Sequence, residues 1–172
     1  MSSPSRPPSP VRVVVGLAGA AGVDYGVAAL AALRERGVET HLIASARSER
    51  ELAQRAPAAA ALATRVYDED NQAAAVASGS FRASAMIVAP CDQRALAAIV
   101  RGLASTLLYR AADVALKEGR PLLVGVVSGD PQAPPPALLA RARAIPGLEV
   151  VRLEGPADEA AAGLAGRLSP PA

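Results

Sequence analysis

ASGSFRASAMIVAPCDQRALAAIVRGLASTLLYRAADVALKEGR, residues 77–120, is the stretch that decides the fold. Segment 83–89 is apolar apart from Ser84, as a strand buried on both faces should be, and it runs into a Pro90-Cys91 turn. Apolar residues at helical spacing then predict helices over 94–101 and 106–118. On the second helix Arg110, Asp113 and Lys117 fall at i, i+3 and i+7, so they share one face and Asp113 can pair with either cation. Such a face is as often merely solvated as it is a binding surface. Lys117 is the only lysine in a chain that otherwise uses arginine, a hint that a compact ammonium is wanted there.

The same alternation extends in both directions. Upstream, 11–17 is a valine-rich run interrupted only by Arg12, and 23–36 has helical periodicity that stops at Gly37, a natural C-terminal cap. A strand over 38–45, a helix over 48–55, an alanine-rich helix over 56–63, a short strand over 65–67 and a helix near 72–77 follow. Downstream come a strand over 121–127, a proline-rich loop over 128–136, a helix over 137–144, a strand over 148–153 and a closing helix over 157–168. Strands alternating with helices predict a Rossmann-like three-layer α/β/α sandwich around a mainly parallel sheet. One domain is expected over 11–168, with a disordered Ser/Pro-rich arm over 1–10 and a tail over 169–172.

Composition narrows the function. The 172 residues are 51% hydrophobic and 20% charged, a globular profile, with a formal net charge of +2 and no block of like charge. Phe81, Tyr25, Tyr67 and Tyr109 are the only aromatics and they are scattered, so no stacking platform for nucleic acid is expected. No run approaches the ~20 apolar residues that span a bilayer. MSSPSRPPSP lacks the apolar core of a signal peptide, and a cytoplasmic protein is expected. Cys91 is the sole cysteine, which leaves neither a disulfide nor a cysteine-based zinc site; no metal is expected.

Four places invite chemistry. The first strand runs through Gly16, Gly19 and Gly22 into a helix, where small residues let backbone N–H groups approach an anion. The G-x-x-G-x-x-G spacing is not the dinucleotide fingerprint, and a tight turn with close helix packing is the competing reading. Ser45 ends the second strand at the edge where such sheets bind ligands, although a helix cap is the commoner role and Ser48 competes for it. Cys91 sits beside the same edge, but the sole histidine, His41, lies early in its strand, so a small buried thiol outweighs a nucleophile. The fourth place is the Arg110–Lys117 face.

Four segments, VGLAGAAGVDYG, ASGSFR, MIVAPC and RAADVALKEGRPLLV, together resemble the flavin prenyltransferase (UbiX-like) family of FMN-binding flavoproteins. The likeness covers most of residues 11–127. It implies the flavoprotein fold and transfer of a dimethylallyl group from dimethylallyl phosphate to reduced FMN, giving the prenylated cofactor used by partner decarboxylases. It also implies trimers packed into a dodecamer, with FMN at subunit interfaces. Carried over by position, the first FMN loop falls on Gly19, Ala20 and Ala21, and the strand-end serine on Ser45. The loop after Pro-Cys falls on Asp92, Gln93, Arg94 and Ala95. The cations near the prenyl phosphate fall on Arg110 and Lys117, with a late basic residue at Arg167.

Departures from the family pattern bear on activity. Ala18 and Ala21 stand where the glycine loop carries serines, and Asp92 and Ala95 where the next loop carries Ser and Thr. An anionic Asp92 beside a flavin phosphate is repulsive unless Arg94 screens it. Ser128, Gly129 and Asp130 replace the family's Arg-Glu pair, and no aromatic follows Tyr109. Asp130 is the one candidate for the glutamate. Two alternatives therefore stand beside prenyl transfer: an FMN- or prenylated-FMN-binding carrier or accessory subunit, and a flavin-free structural module.

Overall fold

The computed structural model describes residues 10–168, so the expected arm, apart from Pro10, and the tail over 169–172 lie outside the described residues. The described residues form six strands and six α-helices, in the order β1 (Arg12–Ala18), α1 (Val23–Glu35), β2 (Glu39–Ala44), α2 (Ala46–Arg55), β3 (Arg65–Tyr67), β4 (Ala85–Cys91), α3 (Gln93–Val100), α4 (Leu107–Lys117), β5 (Leu122–Val127), α5 (Pro136–Arg143), β6 (Leu148–Leu153) and α6 (Ala157–Arg167). Every pairing is parallel and the strand order is β3-β2-β1-β4-β5-β6. The helices expected over 56–63 and near 72–77 are instead 3₁₀ turns at Ala59–Leu62 and Ala75–Ala77. Each buries a single side chain, Ala59 or Val76, and a longer helix there would have no apolar face to pack.

The sheet is covered on both sides, as its near-continuous apolar strands require. Val13, Val15 and Leu17 point toward Leu30 and Leu33 of α1 and Leu164 of α6. Val14, Met86 and Val88 point the other way, toward Leu96 of α3, Leu107 and Leu108 of α4 and Ala142 of α5. Each fully buried Leu of this kind contributes roughly 1.5–3 kcal/mol. Among the described residues no helix is long and apolar enough to cross a membrane.

The strand order creates the site. From β1 the chain builds outward through β2 to β3, then crosses back to place β4 on the other side of β1. Ligands in open parallel sheets bind outside the carboxyl ends of the strands at such a switch point. Two glycines let α1 sit close above it. A Cβ on Gly26 would lie 2.0 Å from Leu17 Cδ2 and 2.5 Å from the Ala89 carbonyl oxygen, so only glycine permits this approach. Gly22, at φ 82°, holds the left-handed turn that starts the helix, and a Cβ there would meet Val127 Cγ2 at 2.5 Å.

Candidate functional site

At the carboxyl ends of β1 and β4 the strand ends are pinned to their neighbours. The Ser45 N–H donates to the Leu17 carbonyl and the Asp92 N–H to the Ala18 carbonyl, each at 2.8 Å. Above them lies a cavity of about 380 Å³, walled by Ala18, by Ser45, Arg47 and Arg50 at the start of α2, and by Glu69. Asp92, Arg94 and Ala95 at the start of α3, and Thr106 and Tyr109 at the start of α4, complete it. That volume lies within the ~300–1,000 Å³ usual for small-molecule sites. Three helix N-termini converge on it, a positive field suited to an anion.

The expected residues divide into two groups. Ser45, Asp92, Arg94 and Ala95 line this crevice, and Gly19 lies beside Asp92. Ser45 Oγ caps α2, accepting from the Ser48 N–H at 3.3 Å, so the capping role holds while its hydroxyl still lines the cavity. Asp92 Oδ1 caps α3 by accepting from the Ala95 N–H at 2.9 Å. The Gln93 N–H donates to the Gln132 carbonyl at 2.8 Å, tying the start of α3 to the loop after β5. Among the described residues no group accepts a hydrogen bond from the Ala20, Ala21 or Gly22 N–H, and α1 has no side-chain cap.

Arg110, Lys117 and Arg167 do not join them within this chain. Arg110 is exposed, one turn beyond Thr106. Lys117 ends α4, roughly 10 Å further along at 1.5 Å per residue, and its ammonium pairs with Asp113 at 2.7 Å. Arg167 pairs with Glu149, near the amino end of β6, at the edge of the sheet opposite the crevice.

Charge in the cavity is balanced in a way the sequence does not reveal. Arg47 Nη1 stands 3.7 Å from Asp92 Oδ2, so the cation nearest this carboxylate is Arg47 and not the adjacent Arg94. Glu69 Oε2 accepts from the Ala46 N–H at 3.1 Å. Burial pushes the Glu69 carboxyl above the ordinary range, although the Ala46 N–H and the Thr106 hydroxyl oppose the shift. Burial likewise raises the Tyr109 phenol, with Asp92 and Glu69 adding to it, so this hydroxyl stays protonated as a hydrogen-bond donor.

Cys91 is buried, and burial followed by the Asp92 charge pushes its thiol far up, which leaves it unreactive. His41 offers it no base. Its Nδ1 bonds the Tyr67 hydroxyl at 2.8 Å, its Nε2 bonds Glu39 Oε1 at 2.9 Å, and Phe81 packs edge-on against its ring.

Sequence reasoning named Ser48 only as a rival helix cap and missed several other residues here. Ser48 is wholly buried; its Oγ accepts from the Gly19 N–H at 3.1 Å and donates to the Gly19 carbonyl at 2.8 Å, clamping the glycine loop to α2. Arg47 and Arg50 are three residues apart at the start of a helix, a spacing that was legible as one face. Glu69 arrives from a loop after β3 with no local signal. In the Ser128–Asp130 segment Ser128 and Gly129 are exposed, Ser128 Oγ donates to Glu154 Oε2 at 3.2 Å, and Asp130 Oδ1 accepts from the Gln132 N–H at 2.9 Å.

Comparison with known proteins agrees with this architecture. The profile of the flavoprotein family matches residues 1–134. A flavin prenyltransferase UbiX from Deinococcus radiodurans is 45% identical over 137 residues, covering 77% of this chain and 68% of that relative. Other curated relatives are matched over between about half and two thirds of their length. Among solved structures, AnUbiX (PadA1) in complex with FMN and dimethylallyl pyrophosphate superposes with a TM-score of 0.80 at 31% identity, covering 93% of both chains. A dodecameric FMN-dependent UbiX-like decarboxylase from Escherichia coli O157:H7 does so at 0.77 and 36% identity, covering 92% of this chain and 91% of its own.

Proposed function

The chain belongs to the flavoprotein family, among its UbiX-like flavin prenyltransferases, and we propose that it binds FMN in the crevice between β1 and β4 and transfers a dimethylallyl group to the reduced flavin from dimethylallyl phosphate. The observation that carries the reading is the cavity at the switch point, where Arg47, Arg50 and Arg94 face two carboxylates already engaged with backbone N–H groups. The residues fit a nucleotide phosphate: an excess of guanidinium charge lies beside a glycine loop with free N–H groups.

When bound, reduced FMN supplies the ring that accepts the prenyl group. The chain's own residues hold and orient it. Arg47, Arg50 and Arg94 grip the phosphate tail, taking over from the hydroxyls lost at positions 92 and 95. The N–H groups of Ala20, Ala21 and Gly22 add dipoles from the α1 terminus. Tyr109 donates a hydrogen bond from its protonated phenol, and the small side chain of Ala18 leaves room above β1. Asp92 and Glu69 oppose an anion, and Arg47 screens Asp92. Arg110, Lys117 and Arg167 act on a phosphate only across a subunit boundary. On this reading the chain works in the cytoplasm as a trimer-based homo-oligomer, up to a dodecamer, and delivers prenylated FMN to a partner decarboxylase.

Incubation with reduced FMN and dimethylallyl phosphate, followed by mass spectrometry of the released cofactor, tests the reaction. A gain of one dimethylallyl group is expected. The Ser128–Asp130 loop, which offers no Arg-Glu pair, favours a second reading: a flavin carrier or accessory subunit without transferase activity. Retained flavin of unchanged mass selects that reading, and a colourless protein that refuses FMN in excess removes both.

A further inference from the structure

The glycine loop has no side chain with which to brace itself. From Gly16 to Gly22 it reads GLAGAAG, without a single polar group beyond the backbone. Local side-chain turns of the Asx or Ser/Thr kind are therefore unavailable to it. The bracing comes instead from α2. Ser48 is wholly buried and does not line the crevice, so it lies behind the wall and out of reach of a ligand. Its Oγ accepts from the Gly19 N–H at 3.1 Å and donates to the Gly19 carbonyl at 2.8 Å. Holding both backbone groups of one residue restrains its φ and its ψ together, and glycine is the residue with the most freedom to restrain.

Proton counting extends the network. A serine hydroxyl has one proton and two lone pairs. With its proton on the Gly19 carbonyl, Ser48 meets Ser45 Oγ, 3.0 Å away, only as an acceptor. Ser45 is then the donor in that pair, and its own Oγ accepts from the Ser48 N–H at 3.3 Å. Ser48 is saturated, and one side chain fixes the strand-end serine and the glycine loop relative to each other.

The clamp sets the direction of a free donor. The Gly19 carbonyl and the Ala20 N–H belong to one trans peptide and point opposite ways. The carbonyl points at a buried side chain, so the Ala20 N–H points toward the open side of the loop, where Ala20 is half-buried and Ala21 exposed. Before Gly19, the Ala18 carbonyl accepts from the Asp92 N–H at 2.8 Å. The loop is thus pinned from two sides up to Gly19, and from Ala20 to Gly22 its donors have no acceptor among the described residues. A serine kept only for packing would need one partner; this one ends the bracing where the free donors begin.

We propose that Ser48 is a positioning residue for flavin binding: it holds Gly19 so that the Ala20 N–H faces the nucleotide before the nucleotide arrives. The inference rests on the flavin reading above. A preformed loop raises the fraction of chains competent to bind, so it acts on association and not on release.

Stopped-flow flavin fluorescence on the full chain tests it. Ser48→Ala should slow FMN association roughly tenfold and leave dissociation at the wild-type rate. Ser48→Cys keeps the volume and weakens both bonds, so its association rate should fall between the two; it also serves if Ser48→Ala does not fold. Arg47→Gln, which removes a direct contact, should instead speed dissociation. Amide exchange read by NMR needs no flavin: the Gly19 N–H should exchange about tenfold faster in either Ser48 variant than in wild type. A role in the fold alone lowers the thermal midpoint and leaves both FMN rates unchanged. That result in a folded Ser48→Ala, or in Ser48→Cys, overturns the proposal and leaves the flavin reading standing. Faster dissociation with unchanged association, or unchanged Gly19 exchange, overturns it as well. Wild type that refuses FMN in excess removes the flavin reading and the positioning role together.

Discussion

The Arg47 guanidinium lies 3.7 Å from the Asp92 carboxylate, bridging the first turns of α2 and α3 across the carboxyl edge of the sheet. Asp92 is buried and also caps α3, so one carboxylate serves the helix and lines the crevice at once.

Replacing Asp92 by Asn separates these two roles. Asn caps a helix about as well as Asp, so thermal stability should change little. Removing the negative charge should tighten FMN binding about fivefold, the equivalent of ~1 kcal/mol for a partly screened pair. Fluorescence titration of FMN checks this, and weaker binding in the variant would show that the carboxylate does not face the flavin phosphate.

Glu69 gives a pH-dependent stability signal of defined sign. Its folded pKa is raised, chiefly by burial. The unfolded chain then releases this proton first as pH rises through the ordinary carboxyl value of 4.5, and the fold loses stability until the raised folded value is passed. Glu69→Gln removes the penalty and keeps an oxygen for the Ala46 N–H. In urea melts the variant should match wild type at about pH 4 and exceed it at about pH 7. A variant less stable at both would overturn the assignment.

Cys91 should behave as an apolar side chain. The thiol has no nearby base, and burial and the Asp92 charge keep it protonated. Iodoacetamide should leave it unmodified in the native protein and label it fully after denaturation, as read by mass spectrometry. Cys91→Ala should retain FMN binding and prenyl transfer; loss of transfer with flavin still bound would return the cysteine to the chemistry.

Gly26 should tolerate no side chain. Leu17 Cδ2 can rotate away from an added Cβ, but the Ala89 carbonyl is backbone and α1 must shift to clear it. Gly26→Ala should destabilise the fold by about 1–3 kcal/mol, in the range of overpacked cores. Chemical denaturation measures this, and a change within error would mean that α1 adjusts freely.

The element pattern was readable from sequence because it is written locally. Valine-rich runs such as 11–17 and the spacing of Leu107, Leu108 and Ala111 report burial residue by residue, and capping residues sit beside the helices they end. The failures at 56–63 and 72–77 have a local cause too: alanine favours a helix, but nothing was there to pack against it. The glycine loop and the residues after Pro90 were legible as a ligand edge. Glu69 was not, because nothing in its neighbours in sequence marks the cavity it meets, and the spacing of Arg47 and Arg50 showed a shared helix face without showing what that face meets.

Periodicity and turn chemistry thus determine, from the sequence alone, that this chain is a parallel α/β sandwich. Only the tertiary structure decides which charges meet there. It sets Arg47 against Asp92 and sends Arg167 to Glu149 at the opposite edge. The physical reason is range: propensity and hydrophobic patterning act over a few residues along the chain, whereas electrostatics acts through space between segments that only the sheet order brings together.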